Sequence, residues 1–284
     1  MLAYRHAFHA GNHADVLKHL VLVQVLKHMA AKDKPFTYVD THAGAGGYAL
    51  DSRYARQHEE AADGIAALYD ATDAPAAVAE YLAEVRAFNG GGPLEQYPGS
   101  PGFAAQRLRA DDRMRLYELH PTDCRILESY LASRPQTQVM QSDGFAALKA
   151  ELPPPSRRGL VLIDPPYELK ADYDRTLAAV REALQRFAQG VLLIWVPQLR
   201  TVQSERLPQR LLASVDQSAA RGWLHARLTV SQGGERGFGL IGSHLVVVNP
   251  PFGLEPALRE ALPWLVERLG RFEGAGHLLE QRLP

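Results

Sequence analysis

The sequence has little cysteine and no long apolar run. Cys124 is the only cysteine among 284 residues, so no internal disulfide can form, as is typical of proteins from a reducing cytoplasm. No apolar run reaches the roughly 18 residues that a membrane span requires, and residues 1–15 lack the apolar core of a secretory signal. We therefore expect a cytoplasmic protein without a membrane-spanning segment.

Net charge is also small. The chain carries 31 Lys and Arg against 32 Asp and Glu, which gives a formal net charge of −1. Proteins that coat nucleic acid without sequence preference are usually basic, because phosphate contacts supply most of their affinity. The charge balance therefore argues against such coating. It leaves open a nucleic-acid substrate bound on one basic face.

What the sequence does contain is an alternation of strand and helix patterns. A largely apolar helix is predicted from His13 to about Ala30 and a buried strand at Phe36–Asp40. Later strands are predicted at Met114–Glu118, Gln138–Gln141, Leu160–Asp164, Val191–Val196, Leu224–Val230 and His244–Asn249, with intervening helices at Asp123–Leu131 and Asp174–Phe187. This order predicts an α/β fold with a mostly parallel sheet. The last two strands are separated only by a Gly-rich stretch and should form an antiparallel pair, so the architecture resembles the Rossmann-like methyltransferase fold.

Residues 48–112 interrupt this alternation. Ala-rich helical patterns occupy 48–89 and are divided by Pro75 into two predicted helices, and a third helix is predicted at Phe103–Leu108. The segment is too long for an ordinary crossover, so we predict a small helical insertion within a single domain that spans residues 1–284. Residues 274–284 are predicted to form a poorly ordered tail.

The first candidate motif is the segment Val39–Gly46, VDTHAGAG. A buried strand that ends in an acid and continues into Gly-x-Gly lets a ligand approach the backbone, so Gly44 is a candidate ligand-binding residue. The third glycine of the dinucleotide fingerprint is missing, which leaves the kind of nucleotide open. A tight turn without a ligand is the alternative.

The second motif is Asp164-Pro165-Pro166-Tyr167, directly after the apolar run LVLI. Open α/β sheets bind ligands at the carboxyl ends of their strands. The Asp164 carboxylate and the Pro165 carbonyl can accept the two N–H bonds of an exocyclic amine, while the base stacks on Tyr167. These groups favour methylation of an amino group on a base. A loop merely stiffened by proline is the alternative.

Two further acids follow predicted strands. Glu118 ends the second strand, where a carboxylate can bind both ribose hydroxyls of a nucleoside. Asp143 follows the third strand and can accept from an adenine amino group, while Gly144 lets the ring lie against the backbone. Either acid alone could simply cap a helix. Acids at successive strand ends together favour a nucleoside site.

Four histidines, His6, His9, His13 and His19, occur close together near the N-terminus. Imidazoles are common metal ligands, so a metal site must be considered. No cysteine accompanies them, and no pair of acids has the spacing of a hydrolytic metal centre. We therefore predict no metal.

A second Pro-Pro-aromatic segment, Asn249-Pro250-Pro251-Phe252, also fits the general pattern of amine methyltransferases. Asn249 ends the predicted antiparallel last strand, whereas Asp164 ends a strand beside the Gly-rich turn. The carboxyl end of an antiparallel strand lies at the opposite edge of the sheet. We therefore predict that Asp164 is catalytic and that Asn249 is not.

At this point the chain resembles the S-adenosylmethionine-dependent 23S ribosomal RNA adenine-N6 methyltransferase family. The resemblance is carried in collinear order by Tyr4–His19, Asp40–Gly46, Tyr97–Pro101, Glu118–Pro121, Asp143–Gly144 and Leu162–Glu168. It implies that Lys18, His19, His42 and Ser100 complete the cofactor pocket. It also implies that residues 1–19 face cofactor and substrate, with Tyr4, His6 and Lys18 near the RNA.

Together these observations predict a cytoplasmic, monomeric enzyme that methylates an adenine of 23S ribosomal RNA without metal, membrane or obligate protein partner. Its catalytic groups are predicted to be Asp164, Pro165 and Tyr167, and Arg53 and Arg56 are expected to flank the mouth of the site. A DNA adenine methyltransferase is the alternative within the same class. A non-catalytic nucleic-acid-binding module with a histidine metal site is the alternative from another class.

Overall fold

The structure is a computed structural model that describes residues 6–50, 60–216, 218–233 and 239–283. The predicted residues Tyr4, Arg53 and Arg56 lie outside this part of the chain. None of the helices that the structure describes combines the length and the apolar character needed to cross a membrane.

Strands and helices alternate largely as predicted. The strands are β1 (Thr37–Asp40), β2 (Gly47–Ala49), β3 (Gln96–Pro98), β4 (Arg113–Tyr117), β5 (Thr137–Met140), β6 (Gly159–Ile163), β7 (Val191–Gln198), β8 (Trp223–Thr229), β9 (Gly242–Val248) and β10 (Gly276–Arg282). The α-helices are α1 (His13–Ala30), α2 (Ala76–Phe88), α3 (Ser100–Arg107), α4 (Pro121–Leu131), α5 (Gly144–Glu151), α6 (Lys170–Arg186), α7 (Val202–Val215) and α8 (Leu254–Leu269).

The main sheet has the strand order β10-β8-β9-β7-β6-β1-β4-β5. The run from β7 to β5 is parallel, whereas β9 runs antiparallel to both β7 and β8. The prediction of a mostly parallel sheet with antiparallel last strands is therefore confirmed. This order brings the carboxyl ends of β6, β1 and β4 side by side at one edge, which is where open α/β sheets bind ligands.

Helix α1 is buried on nearly all sides. The run LVLVQVL places apolar side chains around the whole helix, and α1 packs against α2, α3, α8 and the central strands. The Asn12 side chain caps it by accepting hydrogen bonds from the backbone N–H groups of Ala14 and Asp15, both at 3.0 Å. The sequence predicted the bounds of this helix correctly, and its first turns carry Lys18 and His19 to the edge of the sheet.

Inside the predicted insertion, the described residues before Pro75 do not form the expected helix, while residues 51–59 of the same prediction lie outside the described part of the chain. The described residues there form only a short 3-10 turn, Ile65–Ala67, whose first N–H donates to the carbonyl of Gly11 at 2.8 Å. An apolar run this short, bounded by Gly64, cannot supply enough hydrogen bonds to offset helix nucleation. The hairpin of β2 and β3 was missed because a three-residue strand carries almost no periodic signal.

The C-terminal segment was also predicted wrongly. Residues 276–282 form β10, which pairs antiparallel with β8 from Gly276 opposite Thr229 to Arg282 opposite Trp223. Its side chains are half-buried or exposed, because β10 is an edge strand. The segment therefore lacks the apolar alternation that predicts a strand, and backbone pairing fixes its position instead.

Candidate active site

A cavity opens where β1, β4 and β6 end. It contains about 1050 Å³ of empty space, including the part open to solvent. Predicted site residues that line it are His6, Lys18, His19, His42, Gly44, Ser100, Glu118 and Asp164. The fold thus brings together groups that are separated by up to 158 positions in the sequence (164 minus 6).

Lys18 lies between two carboxylates. Its Nζ is 2.8 Å from Oδ1 of Asp15 and 2.5 Å from Oδ2 of Asp164, and all three side chains are largely buried. Burial alone would lower the pKa of Lys18, but the two carboxylates outweigh it and hold the pKa above its usual value. The lysine is therefore a permanent cation that fixes one oxygen of Asp164.

Asp15 organises the N-terminal segment from the other side. Its Oδ2 accepts hydrogen bonds from the backbone N–H of Gly11 and from Nε2 of His6, both at 2.9 Å. Burial alone would raise the pKa of Asp15, but the charges of His6 and Lys18 and the hydrogen bond from His6 hold it well below the usual range. These contacts place His6 and Lys18 in the same cavity.

Tyr167 is more buried than the predicted stacking of a base on its ring implies. The residue has a positive φ of 52°, and its hydroxyl donates to the carbonyl of Trp195 at 2.8 Å. The ring packs against Tyr173 and Trp195, so only 7 % of the residue is exposed. Pro166 rather than Tyr167 lines the cavity, and stacking of a base on Tyr167 stays a prediction.

Asp40, at the end of β1, supports the cavity wall from behind. Its carboxylate accepts hydrogen bonds from the hydroxyls of Tyr38 (2.8 Å) and Ser100 (2.6 Å) and from the backbone N–H of His42 (3.2 Å). Burial outweighs these bonds and raises the pKa of Asp40 to about 6. Because the Ser100 hydroxyl donates its hydrogen bond to Asp40, its oxygen retains lone pairs that can accept hydrogen bonds from a ligand.

Glu118 is held against the Gly-rich turn. Its Oε2 accepts from the backbone N–H of Gly44 at 2.8 Å, and its Oε1 accepts from that of His120 at 2.7 Å. Burial outweighs these bonds and raises the pKa of Glu118. Each carboxylate oxygen retains a lone pair, so the predicted contact with ribose hydroxyls is chemically available.

Asp143 and Gly144 lie beside the cavity rather than in its lining. Asp143 caps α5 by accepting from the N–H of Phe145 at 3.0 Å, and it also forms an ion pair with Arg175. The cap considered from the sequence is therefore present. A Cβ on Gly144 would lie 2.0 Å from the carbonyl oxygen of Thr41, so the close approach of α5 to the turn requires glycine.

Three of the four N-terminal histidines contact separate side-chain partners. His6 contacts Asp15, Nδ1 of His9 lies 3.0 Å from Glu60, and Nδ1 of His19 lies 2.8 Å from the Tyr97 hydroxyl. Burial lowers the pKa of His13 to about 4. Within the described residues, no group of three or more His, Cys, Asp or Glu is arranged to hold a metal ion.

One buried atom in the cavity wall lacks a partner. Nε2 of His19 makes no hydrogen bond to the described residues, although the residue is only 1 % exposed and lines the cavity. Buried polar atoms of native proteins are nearly always satisfied. The orphaned nitrogen, the lone pairs of Ser100 and the carboxylate of Glu118 fit a ligand with a polar amino-acid end and a ribose, as S-adenosylmethionine has.

The sequence missed several cavity residues. Five residues line the cavity although no role was predicted for them: Thr41, His120, Asp123, Asp172 and Arg175. Arg175 lies one helical turn after Asp172 on α6 and stacks its guanidinium over the Phe145 ring at 4.6 Å. No local pattern marks Asp172 or Arg175, because they face the site only once α6 packs beside the turn. Thr41 and His120 lie within the segments Val39–Gly46 and Glu118–Pro121 but were assigned no role.

Asn249 lies at the opposite edge of the sheet, as predicted. Its side-chain amide donates to the carbonyls of Ala188 (2.8 Å) and Gly190 (2.7 Å), and its Oδ1 accepts from the N–H of Arg221 at 2.7 Å. The residue is fully buried and does not line the cavity. It connects the segments that precede β7 and β8.

The chain is similar to known proteins over nearly its whole length. The model of a protein family described as ribosomal RNA large subunit methyltransferase D, RlmJ, matches residues 33–280. The Escherichia coli K12 protein named ribosomal RNA large subunit methyltransferase J is 43 % identical over 277 residues, which cover 98 % of this chain and 97 % of that protein. The Haemophilus influenzae protein of the same name is 44 % identical over 270 residues, 95 % of this chain and 94 % of that protein. A crystal structure of protein LPL1258 from Legionella pneumophila has a TM-score of 0.87 and 31 % identity, covering 96 % of this chain and 98 % of that chain.

Proposed function

This chain belongs to the RsmJ family of ribosomal RNA large subunit methyltransferases, and on that basis we propose that it methylates the exocyclic N6 of one adenine in 23S ribosomal RNA. The family expected from the sequence motifs is confirmed. The methyl donor that we propose is S-adenosylmethionine, which when bound supplies a methyl group activated by a sulfonium centre. The proposed substrate places the reaction in the cytoplasm.

The observation that carries the proposal is the placement of Asp164. Its carboxylate ends β6 at the cavity, and Lys18 binds only Oδ2. Oδ1 and the carbonyl of Pro165 can then accept the two N–H bonds of the target amine. An amine conjugated with a purine is a poor nucleophile, and two acceptors favour the tetrahedral geometry in which its lone pair is localised. Asp164 or solvent takes the proton that the methylated nitrogen releases.

Lys18 acts through Asp164. A cation at 2.5 Å from Oδ2 fixes the orientation of that carboxylate, so the acceptor is preorganised before substrate arrives. His6 reaches the same cavity through its bond to Asp15 and is proposed to contact the RNA together with Lys18. Tyr4 is proposed for the same surface from the family resemblance.

The remaining cavity residues are proposed to hold the cofactor. Glu118 would accept hydrogen bonds from the ribose hydroxyls. His42 and Gly44 would contact the nucleoside along the turn. Asp143 and Gly144 would lie at the adenine, where Asp143 must share its carboxylate between a helix cap, Arg175 and the ligand. His19 and Ser100 would bind the amino-acid end.

A direct test is methylation of 23S RNA that was isolated from cells lacking the gene. Purified protein, S-adenosylmethionine and a chelator are mixed with this RNA, and the product is mapped by mass spectrometry. We expect one added methyl group on a single adenine, absent from the starting RNA and present in RNA from unmodified cells. Asp164→Ala should yield no product, whereas the control Asp174→Ala, which changes an exposed carboxylate, should be active.

Other outcomes would contradict the proposal. Methylation of duplex DNA but not of the RNA would favour the DNA methyltransferase alternative. RNA binding that requires added zinc, without methyl transfer, would favour the non-catalytic module with a histidine metal site. A modified base other than adenine would overturn the target assignment.

A further inference from the structure

A chain of buried hydroxyls leads from α2 to the cavity. The Tyr81 hydroxyl lies 2.9 Å from the Tyr97 hydroxyl, which in turn lies 2.8 Å from Nδ1 of His19. Tyr81 and Tyr97 are fully buried, and His19 is 1 % exposed. Both tyrosines belong to the segment 48–112, and His19 belongs to α1. The three groups therefore form one hydrogen-bonded series that ends at the orphaned Nε2.

The direction of the hydrogen bonds follows from counting protons. A neutral imidazole has one N–H, and its other nitrogen accepts. Burial lowers the pKa of His19 well below its usual value, so the ring is neutral near neutral pH. If Nδ1 carried the proton and donated to Tyr97, then Tyr97 would donate to Tyr81. The Tyr81 proton would then have no acceptor among the described residues in a fully buried site.

The opposite direction leaves only the Nε2 proton of His19 without an acceptor among the described residues, and His19 lines the cavity. Tyr81 donates to Tyr97, and Tyr97 donates to Nδ1 of His19. A phenol is a good donor and an imidazole nitrogen a good acceptor, so each group acts in its stronger role. An unsatisfied buried donor costs on the order of 1–3 kcal/mol, and only in this second direction can a ligand or solvent in the cavity remove that cost. The proton of His19 is therefore on Nε2.

We infer that Tyr97 and Tyr81 are positioning residues that fix the Nε2–H tautomer of His19, so that this N–H donates to the carboxylate at the amino-acid end of the methyl donor. The assignment rests on the proposed function. Nε2–H requires an acceptor, and the ribose hydroxyls, the other oxygen groups of that ligand, are proposed to bind Glu118. The Ser100 hydroxyl donates its hydrogen bond to Asp40, so the lone pairs of its oxygen can accept from the ammonium group of the same amino acid.

The inference gives the segment 48–112 a role in cofactor recognition. Tyr97 lies on β3 and Tyr81 on α2, and neither residue lines the cavity. Their effect is transmitted through His19. Tyr69 offers a matched control, because it lies in the same segment and its hydroxyl donates to the carbonyl of Gly92 at 2.7 Å, away from the cavity.

The first experiment measures the tautomer in the unloaded protein. Histidine labelled with ¹⁵N is incorporated, the ring signals of His19 are assigned by their loss in His19→Gln, and the protonated nitrogen is identified by NMR. We expect Nε2–H in the unchanged protein and in Tyr69→Phe, and a mixture of tautomers in Tyr97→Phe. A protonated Nδ1 in the unchanged protein would overturn the inference.

The second experiment compares two ligands by calorimetry: S-adenosylmethionine and its decarboxylated analogue. The affinity falls in proportion to the fraction of His19 that carries its proton on Nε2. With an even mixture of tautomers, Tyr97→Phe should therefore weaken binding of S-adenosylmethionine by about twofold, Tyr81→Phe by less and Tyr69→Phe hardly at all. Binding of the decarboxylated analogue should change little in all three variants.

The outcomes separate the inference from the proposed function. Equal weakening of both ligands by Tyr97→Phe would show that the series does not serve the carboxylate and would overturn that assignment. Failure of the unchanged protein to bind either ligand would contradict the proposed cofactor and the carboxylate contact with it. The NMR result would still decide whether the tyrosines fix the tautomer.

Discussion

The two Pro-Pro-aromatic segments of this protein have similar sequences and opposite surroundings. Asp164 lies at a cavity with one oxygen bound to Lys18, and the aromatic residue of its segment, Tyr167, is nearly buried. Asn249 is fully buried, and its side chain makes three hydrogen bonds to the backbone. Phe252 is 99 % exposed. The comparison teaches that similar motifs can differ in whether the first residue retains unused hydrogen-bonding capacity beside a cavity, which the proposed catalytic role of Asp164 requires.

Each segment contains a residue with a positive φ, but at a different position. Positive φ occurs at Tyr167, with φ 52°, in one segment and at Asn249, with φ 55°, in the other. In the first segment the unusual conformation sends the aromatic ring inward, where its hydroxyl reaches Trp195. In the second it sends the amide inward, and asparagine tolerates this conformation better than most residues. Identical proline pairs thus support two different tasks.

The largest expected effect is on the chemical step at Asp164. Asp164→Ala removes a preorganised acceptor from an amine that becomes tetrahedral, which typically reduces the rate on the order of 100-fold or more. The affinity for S-adenosylmethionine should change less, since other residues are proposed to hold it. Single-turnover methylation of a 23S RNA fragment, together with calorimetry of the cofactor, measures both. A loss confined to cofactor affinity would contradict the catalytic assignment.

At Asn249 we expect a loss of stability rather than of rate. Asn249→Ala leaves the buried carbonyl of Gly190 and the part-buried N–H of Arg221 without these partners and places alanine at a positive φ. Together these changes should lower the free energy of unfolding by about 4 kcal/mol. Denaturant unfolding measures this loss. At a temperature where the variant is folded, its single-turnover rate should stay within a few-fold of the unchanged protein; abolished transfer there would reverse the comparison.

Asp40 and Asn249 form a second matched pair, since each is fully buried with three hydrogen bonds, but only Asp40 titrates. Burial raises the pKa of Asp40 from 3.8 to about 6, so the folded state binds a proton that the unfolded state releases between these values. This stabilisation is present below pH 4 and is lost as pH rises through 6. Relative to Asp40→Asn, the unchanged protein should therefore gain roughly 2 kcal/mol between pH 7 and pH 4.

Measuring the difference between the two proteins is essential for this test. Burial lowers the pKa of His42 and His244 to about 3, and these histidines destabilise the fold as pH falls in the same range. Their contribution is common to both proteins and cancels in the difference. A difference that does not vary between pH 4 and 7 would show that Asp40 does not titrate there.

The smallest effects are expected at the two aromatic residues. Tyr167→Phe removes the hydrogen bond to Trp195 and should lower the free energy of unfolding by about 1 kcal/mol. Phe252→Ala removes an exposed side chain and should change it by less than about 0.5 kcal/mol. Thermal unfolding of both variants provides the comparison. A larger effect of Phe252→Ala would indicate that its ring is covered in solution.

The sequence predicted the parts of the fold that carry strong local signals. Helix α1 and the alternating strands were found because their apolar patterns are long, and the edge position of Asn249 followed from strand direction alone. The short turn at Ile65–Ala67 and the polar edge strand β10 were not found, because backbone contacts with distant segments determine them. Local pattern does not record such contacts.

The same distinction holds for the site. Residues at strand ends, such as Asp164 and Glu118, could be predicted because sheet topology alone brings them to one edge. Arg175 and the partnership of Tyr81 with Tyr97 could not, since they depend on how helices and hairpin pack around the cavity. The family resemblance placed Lys18 near the site, but its ion pairs with Asp164 and Asp15 required the structure.

Helix α1 has a consequence for the order in which the protein can be assembled during synthesis. It is among the first elements to leave the ribosome, yet the strands and helix that cover it include β7, β9 and α8 near the other end of the chain. Until those elements are made, its apolar surface lacks native cover, and such surface promotes aggregation of incomplete chains. A growing chain therefore keeps part of α1, the helix that carries Lys18 and His19, without its native cover until β9 and α8 have been made.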